Sequence, residues 1–147
     1  MILTEDIKNK ITEEYKTWEA KQYGNTTKEE RKKLGAVFTP PKITIKMLEK
    51  ITEITPEKTI FDPCCGSGNL LAAAVIAGAN PNNVYGNEYN AEFVEIARER
   101  LSKLGVPAEN IQQGDATVAT NLTLESFKDL SKRRKPIELK QVSLWDL

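Results

Sequence analysis

Histidine is absent from this 147-residue chain. That absence excludes imidazole general bases, Ser-His-Asp triads and any metal site that needs a histidine ligand. Cysteine is nearly absent as well: the only two, Cys64 and Cys65, are neighbours in sequence, and neighbouring residues rarely form a disulfide. Two thiols cannot build a four-cysteine zinc site. The sequence therefore predicts no metal centre and no disulfide framework, which suits the reducing cytoplasm.

The chain also lacks long apolar runs and an excess of one charge. Its longest apolar run, residues 70–77, is far shorter than the roughly 18 residues of a membrane span, and its charged start has no apolar signal core. We therefore expect no membrane partner. Lys and Arg number 21, as do Asp and Glu, which argues against wholesale wrapping of a polyanion. Two basic runs, residues 28–33 and 132–135, either contact phosphate groups or are solvated surface.

The hydrophobic period changes along the chain. The first third has helical periodicity, and apolar strands alternate with helices after it. The pattern predicts helices over residues 4–22, 27–33, 41–54, 69–79 and 90–104, and strands over residues 59–62, 83–88 and 110–115. The resulting β-α-β-α-β order is typical of a parallel sheet with right-handed crossovers. A weaker pattern favours a further helix over residues 122–130 and a last strand over residues 137–145.

Each of the three predicted strands ends in an acidic residue. These residues are Asp62, Glu88 and Asp115, spaced about one strand-helix unit apart. In an open α/β sheet, ligands bind in the crevice beyond the carboxyl ends of the strands. The three carboxylates should therefore line one crevice, where a ligand with an amine, vicinal hydroxyls and an exocyclic amino group would suit them.

A glycine-containing loop follows the first strand and reads Asp62-Pro-Cys-Cys-Gly-Ser-Gly-Asn69. Gly66 and Gly68 permit a tight turn and the close approach of a ligand to the backbone. The loop is not a Walker A sequence, because no Gly-Lys-Ser/Thr follows it. It also departs from the dinucleotide fingerprint, because Leu71 replaces the third glycine. A purely structural strand-to-helix turn is the alternative.

This loop resembles motif I of S-adenosylmethionine-dependent methyltransferases. It is most similar to that of the adenine-N6 DNA methyltransferases, which read Asp-Pro-x-x-Gly-Ser/Thr-Gly. Gly35-Ala-Val-Phe-Thr-Pro-Pro41 resembles their motif X, Asn87-Glu88-Tyr89 stands in the place of motif II, and Gly114-Asp115-Ala116-Thr117 in that of motif III. Motif X before motif I indicates the gamma-type order, as in modification subunits of type I restriction systems.

The resemblance covers residues 33–117 and implies a fold. We expect an α/β protein with a partial Rossmann-like class I methyltransferase fold, in which N-terminal helices precede a parallel sheet core. Residues 1–34 would form an N-terminal helical segment, and residues 35–147 a truncated domain that binds S-adenosylmethionine.

The resemblance also implies roles for individual residues. Phe38, Thr39 and the loop would hold the methionine part of the cofactor, Glu88 the ribose hydroxyls, Tyr89 the adenine ring, and Asp115 with the Ala116 backbone the adenine amino group. The predicted cofactor-binding residues are Phe38, Thr39, Pro40, Asp62, Pro63, Cys64, Gly66, Gly68, Asn69, Glu88, Tyr89, Asp115 and Ala116. Simpler roles exist: Phe38 in the core, Glu88 and Asp115 as helix caps, and the cysteines as small packing residues.

The catalytic Asp/Asn/Ser-Pro-Pro-Tyr/Phe/Trp motif of this family has no counterpart here, so no catalytic residue is predicted. Thr39-Pro40-Pro41-Lys42 precedes the sheet and lacks the aromatic residue, and Asn80-Pro81-Asn82 fails as well. Trp145 and Asp146 either imitate the missing aromatic and polar pair or belong to a packing tail.

The sequence therefore predicts the cofactor-binding part of an S-adenosylmethionine-dependent DNA adenine-N6 methyltransferase. It would need a complementing methyltransferase subunit or a homo-oligomer, and it would contact DNA through a partner chain. The alternative is a catalytically inactive methyltransferase-like protein that binds the cofactor, a partner protein or both in a regulatory role. A methyltransferase acting on RNA or a small molecule is a third hypothesis.

Overall fold

The structure is a computed structural model that describes residues 2–36, 38–51 and 53–117. Its helices are α1 (Glu5–Trp18), α2 (Lys28–Leu34), α3 (Pro41–Glu49), α4 (Asn69–Ile76) and α5 (Ala91–Ser102), and its strands are β1 (Ile60–Asp62), β2 (Val84–Glu88) and β3 (Ile111–Gln113). The helix and strand expected beyond residue 121, the basic run 132–135, and Trp145 with Asp146 lie outside the described residues.

The three strands form one parallel sheet in the order β1-β2-β3. Asp62 at the end of β1 pairs with Gly86, and Glu88 at the end of β2 pairs with Gln113 at the end of β3. The prediction of an α/β protein with a parallel sheet and a partial Rossmann-like fold is thus confirmed. All three carboxyl ends meet at one edge, which is where the strand-to-helix loops emerge.

Local signals explain where α1 begins and ends and where α2 begins. Thr4 caps α1 by accepting a hydrogen bond from the backbone N–H of Ile7. The helix ends at Trp18, four residues earlier than predicted, where the backbone N–H groups of Lys21 and Gln22 both turn back to the Trp18 carbonyl. A capping box between Thr27 and Glu30 starts α2.

Helix α4 lies at the centre of the core. Its residues Leu71, Ala72, Ala73 and Ala74 are all buried, because α4 packs against β1 and β2 on one side and against α1 and α3 on the other. The small alanine side chains let these neighbours approach closely. Leu3 of the N-terminal segment belongs to the same core cluster, while a domain division at residue 34 stays a prediction. Among the described helices, none is long and apolar enough to cross a membrane.

Candidate functional site at the carboxyl edge of the sheet

A cavity of about 500 Å³ lies beyond the carboxyl ends of β1 and β2. This volume is within the range of sites for small molecules and cofactors. Three stretches of chain provide most of its wall: the segment between α2 and α3, the loop after β1, and the turn after β2. The lining residues are Leu34, Gly35, Ala36, Phe38, Thr39, Met47, Asp62, Cys64, Cys65, Gly66, Asn69, Leu70, Glu88, Tyr89, Asn90 and Phe93.

The cavity gathers most, but not all, of the residues predicted to bind a cofactor. Those that line it are Phe38, Thr39, Asp62, Cys64, Gly66, Asn69, Glu88 and Tyr89. Those outside the lining set are Pro40, Pro63, Gly68, Asp115 and Ala116. The binding roles of all of them stay predictions. Segments more than twenty residues apart in sequence nevertheless converge on one cavity.

The loop after β1 approaches an aromatic cluster. Gly66 has a φ of 56°, and a Cβ at this position would lie only 2.8 Å from Cε1 of Phe38. The Phe38 ring packs between Tyr23 and Phe93, with centroid separations of 4.6 Å and 5.0 Å. Phe38 thus packs in an aromatic cluster and lines the cavity at once, and only a glycine fits between its ring and the loop.

Glu88 ends β2 with its carboxylate in the cavity wall. Its Oε2 atom accepts a hydrogen bond of 2.6 Å from the backbone N–H of Asn90. The side chain of Asn90, not that of Glu88, caps α5, because Asn90 Oδ1 accepts from the N–H groups of Glu92 and Phe93. The helix-cap alternative for Glu88 is therefore wrong, and its carboxylate has acceptor sites beyond the one that the Asn90 bond uses.

Asp62 and Asp115 hold their own turns. Asp62 Oδ1 accepts a 3.0 Å bond from the backbone N–H of Cys64, two residues on. Asp115 Oδ1 accepts from the N–H and the hydroxyl of Thr117, at 2.8 Å and 2.6 Å. Such local bonds are typical of aspartate in turns. Each carboxylate therefore stiffens the loop from which it projects.

Burial sets the electrostatics of the cavity. It raises the pKa of Asp62, against the lowering effect of the Cys64 N–H. It also raises the pKa of Glu88, against backbone donors that include Asn90 and Gly66. Burial is the largest cause that raises the pKa of the Cys64 thiol, and the charges of Asp62, Glu88 and Asp115 raise it further. All three carboxylates therefore lie close enough to Cys64 to affect its ionisation.

The lining residues include two acidic side chains and, within the described part of the chain, no lysine or arginine. A ligand that brings a positive charge and hydroxyl donors would offset the repulsion between Asp62 and Glu88 and use their free acceptors. The two carboxylates of the cavity wall therefore fit a cationic, hydroxyl-bearing molecule. Within the described residues, no group of three or more acidic or cysteine side chains could hold a metal ion.

Asn87 is a structural residue of the site to which the sequence analysis assigned no role, although it lies in the segment that resembles motif II. Its side chain is 2% exposed, and its Nδ2 donates 3.0 Å bonds to the carbonyls of Pro63 and Gly114. One amide in β2 thereby joins the loop after β1 to the loop after β3. The available signal was a polar residue where β2 faces the core, but the sequence does not reveal its two partners.

Comparisons with known proteins show which family the chain resembles. The family model described as "N-6 DNA Methylase" matches residues 11–135. The type II methyltransferase M.VspI of Vibrio sp. (strain 343) is 38% identical over 86 residues, which are 58% of this chain and 21% of that protein.

The MjaVIII methylase subunit of a type I restriction enzyme of Methanocaldococcus jannaschii is 31% identical over 97 residues. These residues are 65% of this chain and 17% of that subunit. The chain thus spans about a fifth of the length of the curated relatives it matches. No solved structure gives a significant match.

Proposed function

The chain belongs to the N-6 DNA methylase family, and from that premise we propose that it is the cofactor-binding part of an S-adenosylmethionine-dependent DNA adenine-N6 methyltransferase. The observation that carries the proposal is the cavity in which Asp62, Glu88 and the Gly66 loop meet the Phe38 segment. The names of the two relatives, a type II methyltransferase and a type I methylase subunit, support it further.

The lining residues suggest how the cofactor would be held. The Glu88 carboxylate can accept two hydrogen bonds from a cis-diol, which is the geometry of ribose hydroxyls. Asp62 and Glu88 together favour a positively charged ligand, and the side chains of Phe38 and Tyr89 line the same cavity. When bound, the cofactor supplies an activated methyl group to a nucleophile. The part of this chain is to orient the donor and to place charge around it.

The target and the complementing part belong to the proposal as well. The methyl group would be transferred to an adenine amino nitrogen in DNA. The chain would contact DNA through a complementing methyltransferase subunit or a second copy of itself. The described residues give no catalytic group, so the groups that handle the base would come from that complement. A cytoplasmic location fits the two cysteines, which are free thiols.

A methyl-transfer assay tests this function. Tritium-labelled S-adenosylmethionine is incubated with adenine-containing DNA and the chain, alone and with a polypeptide that supplies the rest of a methyltransferase domain. We expect label in DNA only when both polypeptides are present, and none when Glu88→Ala replaces the native chain. Cofactor binding without transfer, whichever complement is added, would contradict the enzymatic proposal.

The second candidate is a methyltransferase-like protein that binds the cofactor and regulates a partner. The observation that favours it is that the sequence contains no Asp/Asn/Ser-Pro-Pro-aromatic tetrapeptide. The two candidates share the cavity and differ in the transfer assay, so the same experiment separates them.

A further inference from the structure

Arg100 is a buried cation on the apolar face of α5. Its side chain is 1% exposed, and it forms a bidentate ion pair with Glu14 of α1. Nε and Nη2 donate to the two carboxylate oxygens of Glu14, both at 2.6 Å, across 86 residues of sequence. A two-point contact of this kind fixes the plane of the guanidinium as well as its position.

The third nitrogen of the same guanidinium contacts the loop after β1. Nη1 donates to Oδ1 of Asn69 and, at 3.4 Å, to the carbonyl of Ser67. Asn69 is 8% exposed and lines the cavity. The ion pair therefore lies directly behind the glycine-containing loop, on the side away from the cavity.

Asn69 extends the network to the opposite wall of the cavity. Its Nδ2 donates to the carbonyl of Thr39 at 3.2 Å and to Oε1 of Gln22 at 3.3 Å. Arginine offers only donors and a backbone carbonyl only accepts, so Arg100 and Thr39 together leave Asn69 a single orientation of its amide. The network runs from Glu14 through Arg100 and Asn69 to Thr39, and thereby joins α1 to two walls of the cavity.

We propose that Glu14 and Arg100 are positioning residues of the cofactor site. Through Asn69 they hold the loop after β1 in a fixed position against the Thr39 segment. The inference rests on the proposed function and adds to it that α1 is a working part of the site. Neither side chain lines the cavity, so each acts through another residue.

The energetics of buried ion pairs make this role separable from stability. Replacing both members of such a pair by apolar residues of similar size is often neutral for folding, whereas removing one member leaves a buried charge. The double variant Glu14→Met/Arg100→Met should therefore fold and yet leave Asn69 and the Ser67 carbonyl without their donor. Glu14→Gln keeps the shape and removes one charge.

Calorimetric titration with S-adenosylhomocysteine provides the first test. A matched control is Glu13→Gln, which neutralises an exposed neighbour on α1 that pairs with Lys16 at the surface. We expect wild-type Kd for the control and a Kd about tenfold higher or more for Glu14→Gln and the double variant, the loss equivalent to one good hydrogen bond. Wild-type affinity in a folded double variant would overturn the proposal.

Amide hydrogen exchange provides a second test that needs no ligand. In both variants the amides of residues 64–69 should exchange faster than in the Glu13→Gln control, while those of β2 and β3 keep their protection. If the native chain binds no S-adenosylhomocysteine, the proposed function fails, and the exchange data still decide the positioning role. Unchanged exchange over residues 64–69 would overturn that role. If the double variant does not fold, the exchange of Glu14→Gln alone decides the question in the same way.

Discussion

Two half-buried carboxyl groups dominate the cavity at the scale of single residues. Burial raises the pKa of both Asp62 and Glu88. For a group whose pKa is higher in the folded state, the contribution to stability is present below the unfolded pKa and is lost as the pH rises through the folded pKa. Near neutral pH, each ionised carboxylate therefore destabilises the unliganded fold.

Replacing Glu88 by Gln tests this electrostatic account. We expect a gain of about 0.5–2 kcal/mol in the free energy of unfolding at pH 7, because an unfavourable buried charge is removed. The gain should vanish below about pH 4.3, where the native carboxyl is protonated. Urea denaturation across pH measures it, with the exposed Glu99→Gln on α5 as control. A variant less stable than the native chain at pH 7 would contradict the account.

The contact between Gly66 and Phe38 gives a prediction with a matched control. Gly66 and Gly35 have similar backbones, with φ of 56° and 63°. A Cβ on Gly66 would lie 2.8 Å from the Phe38 ring, whereas a Cβ on Gly35 would meet no atom within 4 Å.

Both Gly→Ala changes carry a left-handed backbone penalty of about 1–2 kcal/mol. We expect Gly66→Ala to lose about 1–3 kcal/mol more than Gly35→Ala, because its methyl group must displace the ring. Thermal unfolding of the two variants gives the difference. Equal losses of stability in the two variants would contradict the claim that the close contact between Gly66 and Phe38 excludes a side chain at position 66.

At the scale of elements, β2 organises the edge of the sheet. The Asn87 side chain joins two loops, and the Asn87 carbonyl accepts a 2.9 Å bond from the N–H of Cys65. The Glu88 carbonyl accepts a 3.0 Å bond from the N–H of Gly114. The loops after β1 and β3 are thus tied to one central strand, which keeps Asp62 and Asp115 near Glu88.

Truncating Asn87 should loosen both loops together. Asn87→Ala leaves the carbonyls of Pro63 and Gly114 without this donor. The bond to Gly114 is buried and the bond to Pro63 is partly buried, and a buried acceptor left unpaired costs about 1–3 kcal/mol. We expect a total loss of about 2–4 kcal/mol in chemical denaturation. Asn82→Ala, at an exposed position, should change stability by less than about 0.5 kcal/mol. Similar small losses in both variants would show that the two Asn87 side-chain hydrogen bonds contribute little to stability.

The order of helices and strands could be predicted from the sequence, since each element carries its own hydrophobic period. The bounds were less predictable. Helix α3 ends at Glu49, although apolar residues continue the helical period to Ile54. Local pattern gives no sign of the backbone bonds that turn the chain at Lys50 and Ile51 towards Met47 and Leu48.

The candidate site was predictable where it consists of short motifs and unpredictable where it depends on long-range partners. Asp62 and Glu88 follow from their places at strand ends. Arg100 and Glu14 both interrupt apolar helix faces, and that is a usable signal for a buried pair, but their partnership spans 86 residues. Only the folded chain reveals which opposite charges meet.

At the scale of the whole molecule, the chain would hold one side of the methyltransferase site that we propose. It spans about a fifth of its curated relatives, and its described sheet has three strands. The network from Glu14 to Thr39 joins the N-terminal helix to that sheet edge. We propose that transfer to adenine in DNA takes place only together with a complementing subunit.

The most direct test of the central claim is calorimetric titration of the native chain with S-adenosylhomocysteine. We expect one binding site per chain, lost in Glu88→Ala and retained in Glu99→Ala, which removes an exposed charge from α5. Absence of binding to the native chain, or equal binding by Glu88→Ala, would contradict the claim that the cavity beyond β1 and β2 is the cofactor site.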